Sequence, residues 1–284
     1  MRLSVCIVNW NTRDYLRECL TSLLRYPPEG GELEIIVVDN ASADGSADMV
    51  ATEFPGVLLL AETTNRGYAE GNNLALERAT GDALLLLNPD IVVHPESLTR
   101  AAEFALSHPE LGAFGCRLVG PDGETQKSLR SFPDPGPVLW EYLGASRLFP
   151  HSRTFGAYRM TWFDYSTVIE ADQPMGSFLW ISRAAYEAVG GLDPAFPIFF
   201  NEVDWCWRAK RELGFPIYYT PDVVVTHYGG GSTRQVKASM VRESHRSLLR
   251  FYDKQYPNLA PPLKWFIRTA VLLNERRLLR RAAK

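Results

Sequence analysis

Residues 84–93 read LLLLNPDIVV, an apolar run interrupted by Asn88, Pro89 and Asp90. A continuous apolar run of this kind is typical of a strand buried on both faces of a sheet. Pro89 has no N–H group to donate to a sheet and holds Asn88 in an extended conformation, so we predict that the strand ends here. The buried strand does not need Asp90 for stability. We therefore expect this carboxylate to lie at the strand tip and to serve a ligand.

Strands and helices alternate on both sides of this run. The first half contains four predicted strands, LSVCIVNW, LEIIVVDN, VLLLA and ALLLL, and then a fifth, GAFGCRLV. The first predicted helix carries Leu16 and Leu20, with Asn11 or Thr12 as its N-cap, and further helices are predicted over 46–54, 72–79 and 95–107. After a less regular stretch, GSFLWISRAAYEAVGG predicts a strand and a helix, and VVVTHYGGGS a strand and a turn. Two helices, 236–255 and 262–282, complete an open α/β fold.

Polar segments follow each of the first four strands, namely VNWN, VVDNAS, TNRGYAEGNN and NPD. Any one of them is explained by ordinary turn chemistry, since Asn, Asp, Gly and Pro all favour turns. Ligands of open α/β sheets, however, bind outside the carboxyl ends of the strands. Together, the four segments therefore predict a binding crevice at one edge of the sheet.

Asp90 needs partners to form a metal site. The best candidate is His227, which ends the apolar run VVVTH and precedes three glycines that let a ligand approach the backbone. A carboxylate and an imidazole suit Mg²⁺ or Mn²⁺ that also carries phosphate oxygens and water. A lone histidine is more often structural, and we assign the other four histidines to that class.

Composition and charge limit the function classes. The net charge is −3, which argues against general nucleic-acid binding, but residues 261–284 carry seven basic residues and one acid. This basic tail, at +6 on a body at −9, suggests contact with anionic lipid or a polyanion. The alternatives are a solvated helix, packing on the main domain, and contact with a second subunit in a homodimer.

Cysteine usage and the N-terminus predict the compartment. The four cysteines form no CxxC pair and lie among apolar neighbours, so we expect buried thiols in a reducing environment. The N-terminus lacks the cleavage site of a signal peptide, and no apolar run reaches the roughly 20 residues needed to span a bilayer. We expect a cytoplasmic protein, with peripheral association at the inner face of the cell membrane through the tail.

Seven segments occur in the order and over the range of a known family: VNWN, VVDNAS, NRGYAEGNN, LLLLNPD, GSFLWISR, GGLDPAFPIFFNEVDWCWR and VTHYGGGS. Through them the chain resembles the inverting nucleotide-sugar glycosyltransferases of family 2. Within the family it looks most like bacterial rhamnosyltransferases that build cell-surface polysaccharide. The resemblance implies the GT-A fold, a Rossmann-like open mixed sheet flanked by helices. We expect a GT-A domain over 1–232, with a nucleotide-binding half (1–119) and an acceptor and metal half (120–232), and a C-terminal helical extension over 233–284.

The resemblance also implies residue roles. The donor-binding residues would be Asn9, Asp39, Asn65, Gly67, Asn88 and Asp90. Asn88 replaces the first acid of the DxD motif, and Asp90 and His227 would hold the metal. Glu202 would be the catalytic base, although Asn201 replaces the acid that usually precedes it. The donor would be dTDP-L-rhamnose, with a UDP-hexose or UDP-N-acetylhexosamine as alternatives, and the acceptor a saccharide or polyprenyl-linked glycan.

Some assignments stay open at this point. Asp204 is an alternative base, or it caps the helix that begins near Glu202 or orients the acceptor. Gly176, Trp180 and Trp205 are candidate acceptor contacts, and Trp207 could add another apolar face, although core packing is at least as plausible for Trp207, which follows Val203 at helical spacing. A nucleotidyltransferase would need a glycine-rich loop after the first strand, and a dehydrogenase would need GxGxxG there; VNWNTRDYL has neither. A non-catalytic sugar-nucleotide-binding protein remains an alternative.

Overall fold

The computed structural model describes residues 1–231 and 236–282, so the predicted boundary at residue 232 lies outside the described residues. The strands are β1 (Arg2–Asn9), β2 (Glu32–Asp39), β3 (Leu58–Ala61), β4 (Ala83–Leu87), β5 (Ile91–Val93), β6 (Ala113–Val119), β7 (Leu129–Arg130), β8 (Ile169–Glu170), β9 (Gln173–Pro174), β10 (Phe178–Ser182) and β11 (Ile217–His227). The helices are α1 (Arg13–Arg25), α2 (Ser46–Glu53), α3 (Gly67–Arg78), α4 (Ser97–Ser107), α5 (Pro135–Tyr142), α6 (Ala145–Leu148), α7 (Arg183–Val189), α8 (Asn201–Trp207), α9 (Lys237–Gln255) and α10 (Pro261–Ala282).

The main sheet is open and mixed, with the order β3-β2-β1-β4-β10-β6-β11-β5, and β8 pairs with β11. The first four strands along the chain are parallel to one another. β10 runs antiparallel to both β4 and β6, so β6 has the direction of β4, and β11 is parallel to β6. The carboxyl end of β11 therefore lies at the same edge as the carboxyl ends of β1, β2 and β4. The short strands β7 and β9 form a separate pair.

The four leucines of β4 show why this strand is continuously apolar. Leu85 and Leu87 pack on the face covered by α1, α2 and α4, whereas Leu84 and Leu86 pack on the face covered by α3, α7 and α8. Each leucine is fully buried. Burial of one such side chain contributes roughly 1.5–3 kcal/mol to folding, so both helical layers are held by this strand.

A bend in β11 brings its end to β5. The pairing of β11 with β6 shifts register between Thr220 and Val224, so extra residues of β11, including Pro221, lie outside the ladder. Proline has no N–H group for a sheet, which makes it compatible with such an interruption. Beyond the shift, β11 pairs with β5, and His227 lies opposite Ile91.

Two local predictions differ from the structure. Helix α3 begins at Gly67 rather than near residue 72, because the carbonyl of Pro197 accepts the N–H groups of Tyr68 and Ala69 at 2.6 and 3.1 Å. This distant carbonyl satisfies the first turn, which the local sequence does not reveal. Thr12 stands at the N-cap of α1, but its hydroxyl donates to Asn9 Oδ1 (2.6 Å) and caps no backbone group of the helix.

The two C-terminal helices pack on the domain. Leu248 and Tyr252 of α9 bury Ile267 and Val271 of α10, together with Val138 of α5. The apolar residues of α10 therefore do not share one face: Ile267 packs against α9, whereas Trp265 is 69% and Leu273 58% exposed. None of the described helices combines the length and apolar character needed to cross a membrane.

Candidate active site

A cavity of about 490 Å³ opens at the carboxyl edge of the sheet, a size typical of small-ligand sites. Asp90 and His227 line it, and so does Glu202. Its other lining residues are Thr12, Tyr68, Asn88, Pro89, Ser128, Arg130, Tyr158, Gln173, Pro174, Met175, Gly176, Ser177, Ile198, Phe199, Phe200, Val203, Gly230, Gly231 and Ser244. The cavity thus joins residues from both halves of the predicted domain.

The β5–β11 pairing places Asp90 beside His227. Because Ile91 is opposite His227, the backbone carbonyl of Asp90 accepts the N–H group of Tyr228 at 3.1 Å. The carboxylate oxygen Asp90 Oδ1 lies 3.6 Å from His227 Nε2. Asp90 Oδ1 is buried and has no hydrogen-bond partner among the described residues. Such an orphaned buried oxygen next to an imidazole nitrogen suits a metal ion.

Gln126 fixes the orientation and tautomer of His227. Its amide nitrogen donates to the backbone carbonyl of His227 (2.8 Å), so its Oε1 is left to accept a proton from His227 Nδ1 (2.7 Å). The proton of the neutral ring therefore lies on Nδ1, and the lone pair of Nε2 points towards Asp90. Burial lowers the pKa of His227, with the Asp90 carboxylate opposing the shift, which favours this neutral ligand form.

The donor set fits Mg²⁺ or Mn²⁺ with an incomplete protein shell. Asp90 Oδ1 and His227 Nε2 are the side-chain donors that would hold the ion. Over residues 1–231 and 236–282, no group of three or more histidine, cysteine, aspartate or glutamate residues is arranged to bind a metal. The remaining coordination positions would be left for diphosphate oxygens and water, which is the usual arrangement where these ions bind phosphates.

We expect Gln126→Leu to weaken Mn²⁺ binding by about 10- to 100-fold, since outer-shell partners of metal-binding histidines have effects of this size. The leucine removes the acceptor that holds the Nδ1 proton, and the ring of His227 loses its fixed tautomer. The measurement is the Mn²⁺ dissociation constant, determined by electron paramagnetic resonance of the free ion. Lys127→Gln, at the exposed neighbouring position, is the control and should leave the constant unchanged.

Glu202 enters the cavity from the first turn of α8. The preceding turn carries Phe200 in a left-handed conformation (φ 68°), which is uncommon for a residue other than glycine and often marks a functional site. A Cβ atom at Gly176 would come within 3.3 Å of Glu202 Cγ, so this glycine gives the carboxylate side chain its space. The carbonyl of Gly176 accepts a hydrogen bond from the hydroxyl of Tyr68 at 3.1 Å, which fixes the backbone of Gly176 in the cavity wall.

The environment of Glu202 suits a base. Burial raises the pKa of Glu202 above the usual range of glutamate, and the positive charge of Arg130 opposes only part of the rise. A carboxylate with a raised pKa binds a proton more strongly, and this favours proton transfer from a hydroxyl group. Asn201, at the position of the missing acid, is fully buried and donates to the carbonyl of Phe196 at 3.3 Å.

The predicted nucleoside contacts lie beside the cavity and not among its lining residues. Asn9 Nδ2 donates to Asp39 Oδ1 (2.8 Å), and the other carboxylate oxygen accepts the N–H group of Ser42 (2.9 Å). Thr12, which does line the cavity, donates to Asn9 and joins this network to it. Both Asn9 and Asp39 are buried.

The conformation of the loop before α3 requires a glycine at position 67. Gly67 has φ 84°, and a Cβ atom there would lie 3.0 Å from the carbonyl oxygen of Pro197. Asn65 is exposed, and its Oδ1 accepts the N–H group of Gly67 at 2.8 Å. Asn88 lines the cavity and is fixed through its backbone, which donates to the carbonyl of Ser177 at 3.0 Å. The loop therefore has a structural reason for its sequence in addition to the predicted donor role.

The structure contradicts the alternative roles of Asp204. Its side chain is fully buried and bonded to Arg208 (2.9 Å), Lys254 (2.7 Å) and Gln255 (2.9 Å), so it ties α8 to α9. It does not line the cavity and does not cap α8, whose N-cap is Phe200. Asp204 is a structural ion-pair residue, because its carboxylate faces the core side of the helix.

The predicted acceptor contacts of two tryptophans are also wrong. Trp180 is fully buried and stacks on Phe114 with ring centroids 5.5 Å apart. Trp205 is 1% exposed and donates its indole N–H to the carbonyl of Gly190 at 2.9 Å. The alternation of side chains along β10 directs Trp180 into the core, and Trp205 lies on the inner face of α8. Gly176, the third candidate, does line the cavity.

Several residues that line the cavity or support His227 were missed by the sequence reasoning. Gln126 and Arg130 lie in an irregular stretch with no periodicity to mark them. Tyr158 and Ser244 come from a loop and from α9, which are distant in sequence from the recognised segments. Tyr68 lies within the quoted segment NRGYAEGNN, and Ile198, Phe199 and Phe200 lie within GGLDPAFPIFFNEVDWCWR, so these segments were the available signal for them.

Comparison with known proteins identifies the class. Residues 4–168 match the model of Glycosyl transferase family 2, more than half of the chain. The chain belongs to this family and is a glycosyltransferase with the GT-A architecture: an open mixed sheet flanked by helices, followed by C-terminal helices.

The relatives are consistent with this class. An N-acetylglucosaminyl-diphospho-decaprenol L-rhamnosyltransferase of Mycobacterium tuberculosis is 26% identical, over 98% of this chain and 93% of its own length. The low-salt glycan biosynthesis hexosyltransferase Agl10 of Haloferax volcanii is 22% identical, over 74% of this chain and 62% of its own length. Among solved structures, a mannosyltransferase from Pyrobaculum calidifontis, in complex with GDP-Man and Mn²⁺, has a TM-score of 0.60 and 20% identity. The alignment covers 99% of this chain and 72% of the mannosyltransferase chain.

Proposed function

We propose that the protein transfers a sugar from a nucleoside-diphosphate sugar to a hydroxyl group of a glycan acceptor, with inversion at the anomeric carbon. The observation that carries the proposal is one cavity lined by both the Asp90–His227 pair and the basic carboxylate of Glu202. Such a displacement requires stabilisation of the leaving diphosphate, which a cation held by Asp90 and His227 would supply, and a base for the acceptor hydroxyl, which Glu202 would supply.

The proposed step is a single displacement. Glu202 takes the proton of the acceptor hydroxyl while the acceptor oxygen attacks the anomeric carbon. The bond between the anomeric carbon and the diphosphate oxygen breaks on the opposite face. A divalent cation, when bound, supplies neutralisation of the charge that develops on the diphosphate. A retaining mechanism would need a nucleophilic carboxylate close to the base. Of the described residues lining the cavity, Asp90 and Glu202 are the acids, and Asp90 belongs to the cation pair.

The donor is proposed to be dTDP-L-rhamnose and the acceptor a lipid-linked glycan. Support comes from the name of the Mycobacterium tuberculosis relative, which aligns over nearly the whole chain. The mannosyltransferase complex with Mn²⁺ supports use of a divalent cation. A screen of dTDP-, UDP- and GDP-sugars by thermal shift with Mn²⁺ tests the donor, because a bound donor stabilises the fold by mass action. Release of nucleoside diphosphate from the selected donor then separates a transferase from a non-catalytic binding protein.

The pH dependence of the reaction should report Glu202. Since burial raises its pKa, the carboxylate is protonated and inactive at pH values where an ordinary glutamate is still ionised. We therefore expect kcat/KM to fall with decreasing pH, with an apparent pKa above the usual value for glutamate of about 4.3. The measurement is kcat/KM from pH 4 to 8 at saturating Mn²⁺. A flat profile over this range would contradict the assignment of Glu202 as the base.

We further propose that the outer face of α10 binds the surface of an anionic membrane. This face carries Trp265, Leu272 and Leu273, which are 69%, 45% and 58% exposed, on the side away from Ile267. Arg276 and Arg280 are exposed on the same side of the helix, one and two turns further on. Apolar and basic side chains on one face match the apolar interior and charged headgroups of a membrane interface. Arg281 and Lys284 lie outside the described side chains.

The test of this surface uses sedimentation with liposomes that contain anionic lipid. Replacing Arg276, Arg277 and Arg280 with glutamine should weaken binding by roughly 3 kcal/mol, at about 1 kcal/mol per basic residue, and binding should also weaken with salt. Arg268→Gln is the control, because Arg268 is held by Asp253 at 3.3 Å. Equal sedimentation of the triple variant and the wild type would exclude the membrane role, and a change in oligomeric state instead would favour a homodimer contact.

A further inference from the structure

Among the described residues that line the cavity, Arg130 is the only arginine, and there is no lysine. Most arginines near the site have partners, such as Arg208, which binds Asp204 and two backbone carbonyls. Among residues 1–231 and 236–282, by contrast, no side chain or carbonyl is hydrogen-bonded or ion-paired to the guanidinium of Arg130. The guanidinium lies over the ring of Tyr158, 5.9 Å from its centroid. The ring supports the cation and leaves its N–H groups available for a ligand.

A second polar group at this wall also lacks a partner. Ser128 lines the cavity and is 5% exposed, and its hydroxyl has no hydrogen-bond partner among the described residues. Ser128 and Arg130 are two positions apart along an extended segment that ends in β7, so they lie on the same side of it. The pairing of Arg130 with Gln173 of β9 fixes this segment. A buried hydroxyl and a guanidinium on one side form a built site for an anion.

Strand pairing places Arg130 on the base side of the cavity, because β7 pairs with β9, which ends two residues before Gly176, and Gly176 lies against Glu202. The charge of Arg130 is among those that lower the pKa of Glu202, against the larger effect of burial. Arg130 therefore lies on the side of the cavity that carries the proposed base, where the acceptor hydroxyl must lie.

We propose that Arg130 and Ser128 bind a phosphate or diphosphate group of the acceptor, adjacent to the sugar whose hydroxyl reaches Glu202. This inference rests on the proposed function. The guanidinium presents parallel N–H groups that match two phosphate oxygens, and the serine hydroxyl donates to a third. Without Arg130, an anionic acceptor would meet the carboxylates of Asp90 and Glu202 with no opposing side-chain charge from the described cavity wall. The residue thus selects acceptors in which the sugar carries a phosphodiester or diphosphate.

The test compares two acceptors with the same sugar, one an alkyl diphosphate and the other a neutral alkyl glycoside. For Arg130→Gln, kcat/KM with the diphosphate acceptor should fall about 10- to 100-fold, the usual effect of losing hydrogen bonds to a charged group. The neutral acceptor should be affected much less, so the ratio of the two values falls. Arg130→Lys should restore part of the ratio, because lysine supplies charge without the fork. Arg153→Gln, whose guanidinium lies over Trp162 outside the cavity, is the control and should leave the ratio unchanged.

Other outcomes overturn the inference. An equal fall with both acceptors would mean that Arg130 acts only through the basicity of Glu202. If the donor raised the thermal midpoint of Arg130→Gln less than that of the wild type in the presence of Mn²⁺, Arg130 would bind the donor diphosphate. Calorimetric binding of the alkyl diphosphate sugar provides a readout without turnover. Loss of this binding in Arg130→Gln supports the inference even if no transfer is detected, and equal binding by the wild type and the variant contradicts it.

Discussion

Glu202→Gln is expected to lower kcat by about 10²- to 10⁴-fold, the usual contribution of a positioned general base. Glutamine keeps the shape of the side chain beside Gly176 but cannot take the proton of the acceptor hydroxyl. Donor binding, measured by thermal shift with Mn²⁺, should survive, because the proposed role of Glu202 concerns the acceptor. The thermal midpoint of the free protein should also be close to that of the wild type, since Glu202 forms no salt bridge among the described residues.

Asp204→Asn is the matched comparison, two residues away on the same helix. Here we expect a loss of stability of roughly 3–5 kcal/mol, because Arg208 and Lys254 lose the buried charge that pairs with both of them. In a chain of this size, such a loss lowers the midpoint by about 6 °C or more. The turnover of the protein that remains folded should be largely kept. An inactive but stable Asp204→Asn variant, together with an active Glu202→Gln variant, would reverse the assignment of the two carboxylates.

Asp90→Ala and His227→Ala are expected to lower turnover by about 10³-fold each, because loss of the cation removes several kcal/mol of charge stabilisation from the leaving group. Both variants should also raise the Mn²⁺ dissociation constant, which gives a readout independent of activity. His94→Asn is the control: His94 lies near the same strand pair, but its Nε2 is bonded to Thr226 Oγ1 at 2.8 Å, and it does not line the cavity. Unchanged Mn²⁺ binding in Asp90→Ala would remove the basis for the metal site.

The parts of the fold that follow local patterns were predictable from the sequence. The apolar run of β4 predicts a strand buried on both faces, and its four leucines pack alternately into two helical layers. Asn-Pro-Asp predicts a strand end, and Asp90 lies there. The four buried, free cysteines also agree with the prediction of buried thiols. Each of these features depends on a chemical preference that is visible within a few neighbouring residues.

Other features depend on contacts between distant segments. The start of α3 depends on the carbonyl of Pro197, and the ion pairs of Asp204 depend on Lys254 of α9. From sequence alone, an acid or a tryptophan near a motif looks equally suited to a cavity or a core. Arg130 and Gln126 could not be found because the stretch around them has no period, and their importance arises only when the fold brings Arg130 to the cavity and Gln126 to His227.

The most direct test of the central claim is transfer by the wild-type protein from its selected donor to a glycan acceptor, followed in EDTA and after Mn²⁺ is restored. Nucleoside diphosphate release is assayed with and without acceptor, and the anomeric configuration of the product is determined by proton nuclear magnetic resonance. We predict acceptor-dependent release that is lost in EDTA and recovered with Mn²⁺, and a product of inverted configuration. Undiminished transfer in EDTA, or a product that retains the donor configuration, would contradict metal-dependent single displacement in this cavity.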